Sequence, residues 1–336
     1  MTAALAAPDL TAIAGRLLGM PVLALDEIPG GRNNRLFRVR AAGATAALKL
    51  YHHDRTDPRD RLAQEFGALS FLSGRGIDAV PRPIASDAAN RCALYEWIEG
   101  IRPATVDADS VDALADFFLR LQALRTDPPA GALPPASASC FSVDGVLQQM
   151  TQRLERLRAA APAEVRLFVE GRLLPSARGA AERARDVAAH YGIALEATLA
   201  ADLRVFSPSD FGVHNVLRRP DGRLAFLDFE YFGWDDPAKA IVDVILHPGM
   251  TTETALTDAL AARYVSRVLP ALAATDHALP ARIAAMAAPL QAIWAAIALN
   301  LFLPGAAAVG DAATRARQIE VADRILARDI SGLMPA

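Results

Sequence analysis

Apolar and polar residues alternate with the period of strands near the start of the chain, and the period of helices takes over after residue 107. Asp9 to Gly19 places Leu10, Ile13, Leu17 and Leu18 on one side of a short amphipathic helix. Three alternating runs follow, Val22 to Ile28, Leu36 to Ala41 and Ala46 to Tyr51, joined at Gly30-Gly31 and Ala42-Gly43. They predict an antiparallel meander. The spacing then predicts a helix from about Pro58 to Ser73, with Leu62, Phe66 and Leu69 on its packed face and Glu65 beside that face. An apolar strand from Cys92 to Gly100, CALYEWIEG, leads into Arg102-Pro103, where one lobe ends and the next begins. Beyond Asp107 the reading is mostly helical. Helices are expected over Val111 to Arg125, Val143 to Ala159, Ala163 to Leu174, Arg178 to Tyr191, Pro237 to Leu246, Glu253 to Val268 and Ala312 to Ile330. Asp236 is placed to cap the Pro237 helix, with the proline at its first position.

One stretch breaks the helical run. Asn215 to Arg219 and Leu224 to Phe229 flank Pro220, Asp221 and Gly222, a β-hairpin with a turn. A hairpin brings its outer ends together, so Asp210 and Asn215 are expected beside Asp228 and Glu230. Like charges so close require a cation or a proton. Oxygen-only donors, with no Cys or His cluster beside them, point to Mg²⁺ shared with phosphates rather than to zinc.

Upstream, Lys49 is a lone cation in the apolar run ALKLY, and such a lysine needs a specific anion if it is not at an edge. Glu65 is the candidate partner, and the pair would hold the ammonium against nucleotide phosphates. The GGRNN connection offers Gly31, Arg32 and Asn33 as a phosphate-covering loop. It lacks the G-K-[ST] ending of a P-loop, so a Walker-type nucleotidase is not supported.

Asp210, Asn215 and Asp228 stand in the order phosphoryl transfer uses: an Asp for the attacking hydroxyl, an Asn five positions on for metal, and a later Asp for the metal that bridges the phosphates. The stretch resembles the catalytic segment of the aminoglycoside phosphotransferase and choline kinase superfamily, H-G-D-x-x-x-x-N-[IV]-L, then [IL]-D-[FW]-[EG], then D-P. Asp210, Asn215, Val216 and Leu217 match its first part, Leu227, Asp228, Phe229 and Glu230 its second, and Asp236 and Pro237 its third. Ser209 stands in place of the Gly and Pro208 in place of the His, a residue that usually scaffolds the loop. With Tyr231, the DFEY form is nearer to choline and ethanolamine kinases than to antibiotic kinases.

The resemblance implies an α+β, bilobal protein-kinase-like fold, with a small antiparallel-sheet N-lobe over residues 1–97 and a largely helical C-lobe over 98–336. It implies ATP or another nucleoside triphosphate together with Mg²⁺, and a small-molecule hydroxyl as acceptor. Lys49 and Glu65 would serve the phosphates, while the Glu96 carbonyl and Ile98 N–H would bind adenine with Tyr95 behind the base. Asn215, Asp228 and Glu230 would be the metal ligands and Asp210 the catalytic residue. Asp236 would anchor the catalytic loop. Two other readings stand beside it: a catalytically inactive nucleotide-binding pseudokinase, to which Pro208 lends support, and carboxylate-based hydrolysis, which leaves Lys49, Glu65 and Asn215 unexplained.

Composition narrows the picture further. With 336 residues, 52% hydrophobic, the chain can bury a large core, and a net charge of −3 offers no basic surplus for nucleic acid. Cys92 and Cys140 read as buried thiols of a cytoplasmic protein. The N-terminus lacks the pattern of a signal peptide. Ile283 to Leu303 is uncharged and long enough to span a membrane, but it is Ala-rich and carries Pro289, Gln291 and Asn300, so a buried helix is expected and no membrane partner. From Ala240 onward acids and bases are nearly balanced, which disfavours a polycationic acceptor such as an aminoglycoside. Tyr231, Phe232 and Trp234 are read as core, with cation–π binding of an amino alcohol as the alternative.

Overall fold

The computed structural model describes residues 9–29, 34–52, 59–250, 256–303 and 312–333. Its helices are α1 (Leu10–Leu18), α2 (Arg61–Ser73), α3 (Ala108–Gln122), α4 (Val143–Ala160), α5 (Ala163–Phe168), α6 (Leu174–His190), α7 (Pro237–Leu246), α8 (Asp258–Ala273), α9 (Leu279–Ala298) and α10 (Ala312–Ala327). Its strands are β1 (Val22–Ile28), β2 (Arg35–Ala41), β3 (Ala44–Leu50), β4 (Pro83–Asp87), β5 (Cys92–Glu96), β6 (Val205–Ser207), β7 (Val216–Arg218), β8 (Leu224–Phe226) and β9 (Gly233–Asp235). Residues 1–102 with 216–231 form one compact unit, and 103–215 with 232–336 form a second.

In the first unit, five strands make an antiparallel sheet in the order β1-β2-β3-β5-β4. The period of two sends Phe37, Val39, Ala46, Leu48, Cys92 and Leu94 to one face, where they pack with Ile13 and Ala14 of α1. Asp9 caps that helix by accepting the Thr11 and Ala12 N–H groups, and Gly19 ends it in the left-handed region. Lys49, between Leu48 and Leu50, takes the opposite face. On α2 the buried positions are Leu62, Glu65, Ala68, Leu69, Phe71 and Leu72. Glu65 therefore lies on the packed face itself, while Phe66 is only half-buried.

The β7–β8 pair, which the sequence reading groups with residues 98–336, clusters with the sheet unit. Backbone bonds explain it. Ile101 and Arg218 exchange N–H···O bonds of 3.0 and 2.8 Å, and the Phe226 N–H donates to the Ala79 carbonyl at 2.7 Å. Gly100 permits this approach, because a Cβ there would lie 2.8 Å from the Arg218 carbonyl oxygen.

In the second unit, the two helices expected over 163–191 run on as one, with a π-helical stretch at Val169–Leu173 between α5 and α6. Every residue of α7 is buried, and Asp236 caps it by accepting the Ala238 N–H at 2.7 Å. Its polar members are paired: Lys239 donates to Asp235 at 3.1 Å and to Asp243 at 2.5 Å. Asp243 also accepts from the Trp294 indole, and Asp236 pairs with Arg282. Among the described residues one helical stretch, Leu279–Phe302, is long and apolar enough to cross a membrane, and 72% of its most apolar window is buried. Gln291, a polar residue of this helix, donates to the carbonyls of Ile325 and Arg328 at 2.6 and 2.7 Å, so it has its partners within the unit. Both cysteines are buried free thiols.

Candidate active site

Two clusters of candidate residues form, one in each unit. In the first, the Lys49 ammonium lies 2.6 Å from a Glu65 oxygen, 2.6 Å from Asp228 Oδ1 and 3.6 Å from Glu230. Burial alone would lower the lysine's pKa. The three carboxylates outweigh that cost and hold it well above its ordinary value, so Lys49 is a fixed cation. Glu65 is anchored from two more directions, accepting the Phe229 N–H at 3.1 Å and the Tyr51 hydroxyl at 2.7 Å. Glu230, also buried, accepts from Arg61 at 3.1 Å and from the Asn34 amide. The guanidinium groups of Arg59 and Arg61 lie 5.2 and 5.4 Å from the Tyr231 ring centre.

Glu65, Asp228 and Glu230 each offer an oxygen within 4.8 Å of the others. Hard oxygen donors grouped in this way fit Mg²⁺. The Asp228 side chain is 36% exposed, against 4% for Glu65 and 3% for Glu230. Asp228 is therefore the most exposed of the three carboxylates, held at φ 68°, a left-handed conformation that Asp tolerates better than most residues.

In the second unit, the loop after β6 carries Asp210. Phe211 seats it against Phe117 and Phe118 of α3, with ring centres 5.9 and 6.3 Å apart. The Asn215 amide N–H donates to the Asp210 carbonyl at 3.0 Å, so its own side-chain oxygen is not engaged in that bond. Ser209, at the position where the resembled motif has Gly, adopts φ 69°. Its N–H donates to Ser207 Oγ and its hydroxyl to the Ser137 carbonyl, both at 3.0 Å.

The sequence reading expects no histidine cluster beside these residues, and the structure corrects it. His214 Nε2 lies 2.9 Å and His247 Nε2 2.6 Å from the same Asp210 oxygen. The imidazoles stack with centres 4.1 Å apart and planes 8° from parallel, and His247 meets the Trp294 ring edge-on at 4.5 Å. Burial would raise the pKa of Asp210, but the two imidazoles prevail and hold its carboxyl well below the usual carboxylate range. Nothing in a motif foretells His247, which lies far from Asp210 in sequence. The available signal is the His-Pro-Gly at 247–249: a Cβ on Gly249 would sit 2.6 Å from His214 Cγ, so only glycine admits the stack.

Of the other expected residues, Tyr95 is buried with its hydroxyl 2.6 Å from that of Tyr51. The Glu96 N–H is bonded to the Arg82 carbonyl at 2.8 Å, and Ile98 is buried. Gly31, Arg32 and Asn33 lie outside the described residues. Asp228 and Glu230 belong to the first unit with Lys49 and Glu65, whereas Asp210 and Asn215 belong to the second.

Among curated proteins no significant match to the sequence is found. Solved structures do match it along nearly its whole length. Choline kinase LicA from Streptococcus pneumoniae superposes with a TM-score of 0.60 at 17% identity, covering 95% of this chain and 99% of its own. An aminoglycoside phosphotransferase, APH(2'')-IIa, solved with gentamicin, gives 0.60 at 16%, covering 98% and 99%. A choline kinase from Cryptosporidium parvum gives 0.59 at 13%, covering 91% and 87%. These likenesses establish the α+β protein-kinase-like fold. The profile of the phosphotransferase enzyme family matches residues 24–278, most of the chain. By that match this chain is a member of the phosphotransferase enzyme family.

Proposed function

We propose that the protein transfers the γ-phosphoryl group of ATP to a hydroxyl of a small polar molecule, an amino alcohol, a sugar or a related alcohol. The observation that carries this reading is the Lys49 ammonium clasped between Glu65 and Asp228 at 2.6 Å each. A buried cation held by two carboxylates, one of them open to solvent, suits the phosphates and the metal of a nucleotide. Lys49 neutralises the phosphates and Glu65 fixes its direction. Asp228 would hold Mg²⁺, with Glu230 as a further ligand whose present partners are Arg61 and Asn34. Mg²⁺ supplies charge neutralisation for the phosphate oxygens.

Asp210 takes the acceptor hydroxyl. Held ionised, it accepts the hydroxyl's hydrogen bond and orients it for attack, so the rate derives from positioning and electrostatics rather than from covalent chemistry. Similar folds in solved proteins support a small-molecule acceptor: they include choline, ethanolamine and aminoglycoside kinases, one of the last in an ADP-bound form.

ADP formation measured over a panel of amino alcohols, sugars and aminoglycosides tests the reading. Turnover with at least one alcohol, lost in Asp210→Ala with nucleotide binding intact, is the expected result. A nucleotide-dependent thermal shift with no ADP formed on any acceptor would instead support a nucleotide-binding protein without transfer activity.

A further inference from the structure

His247 closes α7 and turns its ring onto Asp210. Which ring nitrogen carries the proton follows from its surroundings. The Gly249 N–H donates to His247 Nδ1 at 3.0 Å, so Nδ1 is an acceptor and the proton resides on Nε2, 2.6 Å from Asp210 Oδ1. That polarity also decides against a metal held by Asp210, His214 and His247, although their donor atoms cluster within 4.8 Å. A histidine bound to metal through Nε2 gives its other N–H to a carbonyl or carboxylate. Here the second nitrogen receives an N–H instead.

His214 Nε2 contacts the same oxygen, so both imidazoles converge on Oδ1. Oδ2 takes no hydrogen bond among the described residues. A free carboxylate presents two equivalent oxygens and rotates between them, whereas this one has one oxygen committed and one left over.

We infer that His247 is a positioning residue: its Nε2–H, oriented by Gly249, pins Asp210 Oδ1 so that Oδ2 alone receives the hydroxyl of the acceptor. The inference rests on the reading of Asp210 given above. The helix α7 supplies the rigidity, since it is buried along its whole length, and Trp294 backs the imidazole from α9. The ring is 12% exposed against 29% for Asp210, as expected of a group that acts through the carboxylate rather than on the acceptor.

Two measurements on the full chain test this. In ¹⁵N-histidine NMR at neutral pH, the His247 signal, assigned by its loss in His247→Gln, should report a protonated Nε2 and an unprotonated Nδ1. A proton on Nδ1 would overturn the inference whether or not an acceptor is known. The second is kinetic, with ATP and the most active alcohol of the panel. His247→Phe keeps the ring and removes the donor, while His247→Gln keeps an amide N–H. The phenylalanine variant should lose kcat by about tenfold to a hundredfold, a part of what a positioned base contributes, with the KM for ATP unchanged. The glutamine variant should recover most of the loss. Wild-type kcat in a folded His247→Phe protein, or equal loss in both variants, would remove the assigned role. Asp210→Ala separates the two levels. If it is inactive while His247→Phe is normal, only the positioning role falls; if it turns over normally, the assignment of Asp210 falls first.

Discussion

The hydroxyls of Tyr51 and Tyr95 lie 2.6 Å apart, and the Tyr51 hydroxyl donates a hydrogen bond to Glu65 at 2.7 Å. A phenol has one proton, so Tyr95 must be the donor to Tyr51, and the chain of donors runs one way, from β5 to the carboxylate that holds Lys49. Burial, first, and the neighbouring Glu65 charge keep both phenols well above their ordinary range, so the relay stays protonated. Tyr51→Phe strands the buried Tyr95 hydroxyl and should cost about 1–3 kcal/mol in denaturant unfolding. Tyr51→Phe with Tyr95→Phe should cost less than the sum of the single changes, because no orphaned hydroxyl remains. Additive costs in the double-mutant cycle would refute the one-way chain.

Lys49→Met leaves Glu65 buried without its cation. A broken buried pair costs about 3–5 kcal/mol, so this variant should unfold far more readily than Asp228→Ala, whose lost carboxylate is partly exposed. Mg–nucleotide affinity, read by titration calorimetry, should fall in both. Wild-type affinity in Asp228→Ala would contradict its role as the accessible metal ligand.

Ser209 carries a left-handed backbone and one hydroxyl bond to Ser137. Ser209→Gly relieves the strain while losing the bond, two effects of about 1 kcal/mol each that nearly cancel. Ser209→Ala loses the bond and keeps the strain. Thermal unfolding should therefore rank the glycine variant close to wild type and the alanine variant below both; equal melting temperatures for the two variants would contradict this account.

Asp87 links β4 to α1. It accepts from Asn90 at 2.8 and 3.0 Å and from Arg16, and these bonds lower its pKa to about 2. A carboxyl more acidic folded than unfolded binds fewer protons in the native state, so stability rises with pH between about 2 and 4. Asp87→Asn should be less stable than wild type at neutral pH by about 1 kcal/mol, and the gap should close as pH falls to about 2. A gap that stays constant down the series would show that charge plays no part.

Local chemistry was legible in the sequence where neighbours in the chain are also neighbours in space. The Pro-Asp-Gly turn produces β7 and β8, Asp236 caps the helix it precedes, and the lone cation of β3 meets Glu65. What escaped depends on contacts remote in sequence. The pairing of β5 with β3 and the docking of the hairpin through Ile101 and Ala79 arise from backbone groups, whose bonds leave no mark on residue identity. His247 reaches Asp210 from the end of a separate helix, and a histidine after an apolar run reads as an ordinary helix end. The sequence places Glu65 beside the packed face, since a carboxylate is not expected on one; its three donors are what permit it there.

Synthesis proceeds from the N-terminus, and the first unit is written in two instalments, residues 1–102 and 216–231. A nascent chain that has emerged as far as residue 102 carries Lys49 and Glu65 but not Asp228, so the ionic clasp stays open while the intervening helices are translated. The lysine therefore acquires its full set of carboxylates only after residues 103–215 have been synthesised.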